Sequence, residues 1–202
     1  MLMARQCKDY MPTYMLIAVN LAVYVYTSVL SGSFFETSTE VLIQYGQVNF
    51  LVLNGWHWQL VTSMFVHLNL LHLLGNMFFL LIFGLRAEEM FSLGEYFAVY
   101  FLSGLAGNLL TLLMRPCTIS AGASGAIFGL FGAVVMYLRR SFGQSVFGAL
   151  IYSFFLMFMT SSDPRVNVLA HFGGLAAGLV IGYLLAKSRM KHIVYRYSVT
   201  VP

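Results

Sequence analysis

Six apolar stretches, separated by more polar connections, restrict how this chain can fold. They cover residues 12–30, 68–85, 94–114, 122–138, 145–160 and 167–186. A helix needs about 20 apolar residues to span a bilayer, so each stretch predicts one transmembrane helix. The composition agrees, because 59% of the residues are hydrophobic, only 9% are charged and the mean hydropathy is +0.80. We predict an all-α polytopic membrane protein, with residues 1–202 forming one bundle of six transmembrane helices.

The lysines and arginines are distributed unevenly between the two ends of these stretches. With six spans, only Arg115 and Arg165 of the 11 basic residues fall on the side opposite the termini. Cytoplasmic connections carry an excess of Lys and Arg. We therefore predict that both termini are cytoplasmic, with a short N-terminal segment 1–11 and a basic C-terminal tail 187–202. The basic residues form no cluster on a soluble face, so we expect no nucleic-acid partner.

We expect the first apolar stretch to stay in the protein and the two cysteines to be unpaired. No Ala-x-Ala-like site follows the stretch, and five further spans make it the first helix of a bundle rather than a signal peptide. Cys7 and Cys117 fall on opposite sides of the membrane in this topology. A disulfide requires Cα atoms closer than about 7 Å, so we expect none between them.

The one long connection, residues 31–67, is predicted to be external and unusually apolar. It contains Trp56 and Trp58 among many aliphatic residues, and tryptophan favours the membrane–water interface. We predict short interfacial helices here, partly embedded in the outer leaflet. The connection 115–121 is expected to dip into the membrane and to line a cavity, because irregular backbone survives at that depth only when buried or water-lined.

Small residues recur every four positions on the fourth and sixth stretches. They are Ala121, Gly125, Gly129 and Ala133 on the fourth, and Gly174, Gly178 and Gly182 on the sixth. Such stripes let helix backbones approach closely, so we predict that these two helices pack together. At about 1.5 Å rise per residue, His72, Ser124 and His171 then lie within a few Å of one level, below the outer surface.

Ser124 and His171 have the chemistry of a nucleophile and its base. Gly122 and Gly125 flank the serine, allow a sharp entry to the helix and leave room for a substrate backbone. The start of that helix offers free N–H groups for a developing oxyanion. Each residue also has a plain structural interpretation: the serine can bond back to a carbonyl one turn earlier, and the histidine can bond to another helix.

The acidic member of a hydrolytic triad is absent from the spans. Asp163 is the nearest acid in sequence to His171, eight residues upstream in an external connection. We therefore predict a Ser–His dyad whose imidazole is oriented by packing. Phe128, one turn after Ser124, is expected to stack on it.

His72 and Asn76 are spaced i, i+4 and so share one face of the second helix. As hydrogen-bond donors aimed at Ser124 they would complete an oxyanion hole. The alternative is a polar contact between helices. They are too few for a metal site and no HExxH pattern is present, so we expect neither a metal nor another cofactor. His67, at the membrane entry, is expected to be structural.

Three motifs taken together resemble the rhomboid family of intramembrane serine proteases, in its minimal bacterial form with six helices. The motifs are His72-x-x-x-Asn76, Gly122-x-Ser124-Gly125 and Ala170-His171-x-x-Gly174-x-x-x-Gly178, within a likeness that covers roughly residues 10–187. The resemblance implies Ser124 as nucleophile and His171 as base. It implies oxyanion donors from His72, Asn76 and the backbone N–H of Ser124.

The resemblance also implies where the protein acts and on what. It implies a bacterial cytoplasmic (inner) membrane, a first external loop inserted laterally in the outer leaflet, and transmembrane-helix substrates cut near their external ends at small residues. Two positions depart from the family pattern. Gln59 follows Trp58 where many relatives have arginine, which removes a charge that anchors the loop. Phe128 stands where tyrosine is common, so the ring is kept without its hydroxyl.

Two other functions fit parts of the sequence. A non-cleaving binder of transmembrane helices could use the same fold, although such relatives usually lack the serine or the histidine. A small transporter would need intramembrane acids or an inverted repeat, and neither is found in the spans. We therefore predict a protease, because this function uses all four polar residues of the motifs, His72, Asn76, Ser124 and His171. Its substrate is expected to enter sideways, between the fifth stretch and its neighbours.

Overall fold

A computed structural model describes residues 11–143 and 167–200, together with the isolated positions 148, 151, 152 and 155. Eight helices and two short strands occur within these residues. The elements are α1 (Met11–Ser31), α2 (Thr39–Tyr45), β1 (Gln47–Val48), α3 (Asn49–Leu53), α4 (Gln59–Thr62), α5 (Leu70–Met90), α6 (Leu93–Thr111), β2 (Ile119–Ser120), α7 (Ser124–Phe142) and α8 (Val168–Thr200).

Five of the six predicted apolar stretches form long helices, and the fifth, 145–160, lies outside the described residues apart from four isolated positions. α7 continues past the predicted end because Arg139 and Arg140 are good helix formers. It stops at Gly143, whose φ of 67° is the left-handed conformation of a helix C-cap. α8 extends far beyond the predicted boundary at residue 186 into the basic tail. The segment from 187 to Thr200 contains neither glycine nor proline, so nothing in it breaks the helix.

The protein is a multi-pass membrane protein. Among the described residues, three helices are both long and apolar enough to cross a bilayer: α1, α5 and the Val168–Arg189 part of α8. α6 and α7, which the sequence also predicts to cross, have 19 residues each. Glu95 and Asn108 in α6, and Arg139 and Arg140 at the end of α7, lower the mean hydropathy of these two helices.

The connection between α1 and α5 contains the short helices predicted for it, α2, α3 and α4. Gln59 is fully buried there, and it anchors the loop without a charge. Its side-chain carbonyl accepts a hydrogen bond from the N–H of Val48 at 2.9 Å, and its amide donates to the carbonyl of Ile43 at 2.7 Å. Glutamine in place of the arginine of many relatives therefore removes a charge, but these two hydrogen bonds still anchor the loop.

The all-α prediction missed one small element of strand. β1 pairs antiparallel with β2, with Gln47 opposite Ser120 and Val48 opposite Ile119. Two-residue strands are too short to produce a visible alternation in the sequence. The pairing fastens the connection 115–121 beneath the first loop. Cys117, in this connection, is exposed and unbonded, while Cys7 lies outside the described residues.

α7 and α8 run parallel with their backbones in direct contact. A Cβ atom added to Gly174 would collide with the carbonyl oxygen of Gly125, and one added to Gly178 would collide with that of Gly129. Gly182 stands in the same relation to Ala133. The predicted packing of the two small-residue stripes is therefore confirmed, and it aligns the start of α7 with the start of α8.

The other long helices alternate in direction around this pair. α5 runs parallel to α7, because His72 near its start packs against Gly122 just before α7, while the rings of Phe83 and Phe131 lie 4.8 Å apart further along both helices. α6 runs antiparallel, because its Gly107 lies against Ala170 near the start of α8 while Glu95 at its own start bonds to Arg189. The N–H of Thr13 donates to the buried carboxylate of Glu88 at 2.7 Å, so α1 starts where α5 ends.

Candidate active site

Ser124 and His171 meet at the parallel starts of α7 and α8. The Nε2 atom of His171 lies 2.7 Å from the Oγ atom of Ser124, which is hydrogen-bond distance. Ser124 is the first residue of its helix, and His171 is the fourth of its own. His171 is 2% exposed while Ser124 is half-buried. The serine hydroxyl is therefore reachable from the cavity, and the imidazole behind it is shielded.

Gly122 makes the sharp entry into α7. Its φ is +131°, a conformation that residues with side chains rarely adopt. Its N–H donates to the carbonyl of Ser63 at 2.8 Å, which fixes the turn to the first loop. A Cβ atom here would lie 2.8 Å from Cε1 of His72. Glycine thus serves both the backbone turn and the close approach of the His72 ring.

The backbone N–H of Ser124 is suited to stabilise an oxyanion. The first N–H group of α7 that bonds within the helix is that of Ile127, which donates to the carbonyl of Ala123 at 3.0 Å. The N–H of Ser124 belongs to the first turn and so has no acceptor inside its helix. Ser124 follows Gly122 by two residues, and the ring of His72 packs against the backbone of Gly122. The serine N–H and the His72 ring are therefore close neighbours.

Of the two predicted side-chain donors, His72 lines the cavity beside Ser124 and Asn76 does not. The Asn76 amide donates to the carbonyl of His72 at 2.8 Å and is 5% exposed. One of its two hydrogens is thus committed to its own helix. The sequence spacing correctly predicts that the two residues are neighbours on α5.

Packing orients the imidazole of His171. The ring of Phe128 lies 4.8 Å from it between centroids, at an interplanar angle of 36°, a tilted contact rather than a parallel stack. The Nδ1 atom of His171 is buried, and among the described residues no group bonds to it. Asp163, the nearest acid in sequence, lies outside those residues.

Several polar residues around the site were not identified from the sequence. The cavity is lined by Met64, His72, Gly104, Asn108, Ser120, Ala121, Gly122, Ser124, Gly125, Ala126, Asn167, Ala170 and His171. Asn108 was detectable as an amide inside an apolar helix, and Asn167 as an N-cap residue before one. The predicted lining by the connection 115–121 is confirmed for Ser120 and Ala121. Within 11–143 and 167–200, no three His, Cys, Asp or Glu residues are grouped to hold a metal ion.

The fold and the site define a multi-pass helical membrane protein with a serine–histidine pair in a polar cavity. The chain belongs to the rhomboid family, since the family described as Rhomboid domain matches residues 54–188, more than half of the chain.

Curated relatives come from several kingdoms. "RHOMBOID-like protein 6, mitochondrial" of Arabidopsis thaliana is 36% identical over 63% of this chain and 43% of its own length. "Rhomboid-like protease 3" of Toxoplasma gondii is 31% identical over 80% of this chain and 64% of its own length. "Rhomboid protease GluP" of Bacillus subtilis (strain 168) is 31% identical over 82% of this chain and 33% of its own length. The matches thus span less than two thirds of the length of these relatives.

Proposed function

We propose that the protein is an intramembrane serine endopeptidase that cleaves transmembrane-helix substrates with a Ser124–His171 dyad. The observation that carries this proposal is the 2.7 Å distance between Nε2 of His171 and Oγ of Ser124. Such a contact joins a nucleophile to a base in acyl transfer. Membership of a family whose relatives include named proteases supports the same activity.

The reaction would begin with attack of Ser124 Oγ on the scissile carbonyl carbon. His171 Nε2 takes the hydroxyl proton during the attack and then gives it to the leaving amine. The negative charge that develops on the carbonyl oxygen would be stabilised by the N–H of Ser124 and by His72. Asn76 joins them when its second amide hydrogen turns toward the cavity.

The second half of the reaction needs a water molecule. His171 takes a proton from that water as its oxygen attacks the acyl carbon. It then returns the proton to the Ser124 oxygen as the ester bond breaks, which releases the carboxyl product and restores the free serine. The polar lining contributed by Asn108, Ser120 and Asn167 supports access of water to the serine. In the proposed orientation the site lies on the external side, below the first loop, so cleavage would occur near the external end of a substrate helix.

We further propose six transmembrane helices, with both termini in the cytoplasm of a bacterial cell. α7 ends far from Ser124, about 28 Å away for a 19-residue helix, whereas α8 begins beside Ser124. We therefore propose that the apolar stretch 145–160 returns the chain across the bilayer as the fifth transmembrane helix. The excess of basic residues at the end opposite the site supports the orientation.

Substrates would be transmembrane proteins that enter sideways from the bilayer. A substrate helix must unwind near the scissile bond, and glycine or another weak helix former would lower the cost of unwinding. The proposed entry lies next to the fifth apolar stretch, whose phenylalanine and methionine side chains repack easily.

The test is labelling of the detergent-purified protein with a fluorophosphonate, followed by cleavage of a reconstituted transmembrane peptide. We expect an adduct on Ser124, and we expect Ser124→Ala and His171→Ala to lose both labelling and cleavage. Ser103→Ala is the matched control, because Ser103 is a buried serine on α6 outside the cavity lining. Persistent cleavage by Ser124→Ala would refute the proposal.

A further inference from the structure

Asn167 connects the two halves of the proposed dyad through hydrogen bonds. We propose that Asn167 is a positioning residue that holds His171 in line with Ser124, an inference that rests on the function proposed above. Asn167 immediately precedes α8 and is 8% exposed. Every polar atom of its side chain is bonded to a protein group.

The acceptor groups of Asn167 fix the start of α8. Its side-chain oxygen accepts a hydrogen bond from the N–H of Ala170 at 3.1 Å, the pattern of a helix N-cap. Its backbone carbonyl accepts from the N–H of His171 at 3.3 Å. These two bonds define where the first turn begins, and so they set the rotation about the helix axis at which His171 projects.

The donor group of Asn167 links the first turn of α8 to α6 and to the segment that precedes Ser124. The amide nitrogen donates to Oγ1 of Thr111 at 2.7 Å and to Oγ of Ser120 at 3.0 Å. Thr111 belongs to α6, and Ser120 lies four residues before Ser124 on the strand that leads into α7. One side chain therefore sets the distance between the segments that carry the serine and the histidine.

The imidazole of His171 has no hydrogen-bond partner on Nδ1 within the described part of the chain, which makes this positioning important. Because no described residue bonds to Nδ1 of His171, no third residue among them holds the imidazole at a fixed angle if the first turn of α8 rotates. The ring angle depends on the first turn of α8 and on the contact with Phe128. Displacement of a reacting group by about 1 Å can cost about 10²-fold in rate.

Asn167 is not needed to hold the rest of α8 in the bundle. Further along the helix, Gly174 and Gly178 lie directly on the backbone of α7. At the far end, Arg189 bonds to the side chain of Glu95 and to the carbonyl of Met90. Removing the Asn167 side chain should therefore disturb the first turn and leave the helix packed.

The test compares Asn167→Ala and Asn167→Ser with the control Asn20→Ala. Asn20 is likewise a buried asparagine, but its amide bonds to the carbonyl of Leu16 on α1, and it does not line the cavity. We expect Asn167→Ala to lower kcat for a transmembrane peptide by about 10²-fold, with little change in KM. Asn167→Ser retains a capping oxygen and should recover part of kcat. Asn20→Ala should keep the wild-type kcat.

A spectroscopic comparison tests the geometry without activity. We would record the ¹⁵N resonance of His171 Nε2 in histidine-labelled protein, assigned through its absence in His171→Ala. In Asn167→Ala it should move toward its position in Ser124→Ala, where the hydrogen-bond partner is missing, and it should not move in Asn20→Ala. An unmoved resonance in folded Asn167→Ala, or an equal loss of kcat in Asn20→Ala, would overturn the proposal. Failure of the wild type to cleave any peptide would instead contradict the proposed function and leave the resonance test valid.

Discussion

The backbone of Gly178 in α8 lies directly against the carbonyl oxygen of Gly129 in α7, with no side chain from either residue between the helices. The same contact recurs one turn earlier between Gly174 and Gly125. Because Gly125 is next to Ser124 and Gly174 follows His171 by three residues, this backbone contact holds close together the two helices that carry the serine and the histidine.

Gly178→Ala is expected to destabilise the protein. The added methyl group would collide with the carbonyl of Gly129, and overpacking of this kind costs about 1–3 kcal/mol. The free energy of unfolding in mixed detergent micelles measures the effect. Gly75→Ala on α5 is the matched control, since no atom lies within 4 Å of its added Cβ. Equal stability of the two variants would contradict the direct backbone contact.

Phe128→Ala is expected to lower kcat while Phe128→Tyr retains it. The Phe128 ring contacts the imidazole of His171, and aromatic contacts contribute about 0.5–1.5 kcal/mol, which corresponds to roughly 2- to 13-fold in rate. Steady-state cleavage of a transmembrane peptide measures kcat. Phe131→Ala, whose ring packs on Phe83 instead, controls for the lost volume. A similar loss of kcat in both alanine variants would argue against a specific role for the Phe128 contact.

Asn76→Ala is expected to reduce kcat by about 10²–10³-fold, the usual effect of removing one oxyanion donor. KM should change little, because the interaction forms with the charged intermediate. The amide bonds to the carbonyl of His72 in the resting structure, so the substrate complex must recruit its second hydrogen. Asn20→Ala serves again as the control for a lost buried amide. A wild-type kcat in Asn76→Ala would remove Asn76 from the mechanism.

Gln59→Ala is expected to loosen the first loop. The substitution leaves the N–H of Val48 and the carbonyl of Ile43 without their side-chain partner, and an unsatisfied buried group costs about 1–3 kcal/mol. Gln59→Arg should also destabilise the loop, because arginine cannot accept a hydrogen bond from Val48. Thermal unfolding measures both variants against Gln44→Ala at an exposed position. Stability of Gln59→Ala equal to that control would disprove the anchoring role.

His67 is expected to make the fold sensitive to acid. Burial, with a smaller contribution from the nearby His72, lowers the pKa of His67 to about 3 from 6.5. The unfolded chain therefore binds a proton between these values and the folded protein does not, so the free energy of unfolding falls as the pH is lowered from about 6.5 toward 3.

Unfolding of the wild type and of His67→Gln across that pH range measures this dependence. The slope should be smaller in His67→Gln, because the substituted side chain does not titrate. Gln44→Ala, at an exposed position without a titratable group, should keep the wild-type slope. A slope unchanged by His67→Gln would show that other groups cause the acid sensitivity.

The sequence alone predicts the membrane class, five of the long helices and the meeting of His72, Ser124 and His171 near one level. These features depend on local properties, namely apolar length, small-residue spacing and helix rise, which can be read along the chain. The boundaries are less certain, as α8 shows, because a basic segment can continue a helix as well as end one.

Only the tertiary structure decided how the site is built between those helices. The contact of Gly122 with His72, the bonds of Gln59 across the first loop and the bonds of Asn167 to Thr111 and Ser120 join residues far apart in sequence. No local pattern encodes such partners, since an amide buried in an apolar bundle takes whatever donor or acceptor the packing brings within reach. The helices follow from the chain's own periodicity, whereas the orientation of each polar side chain follows from its neighbours in space.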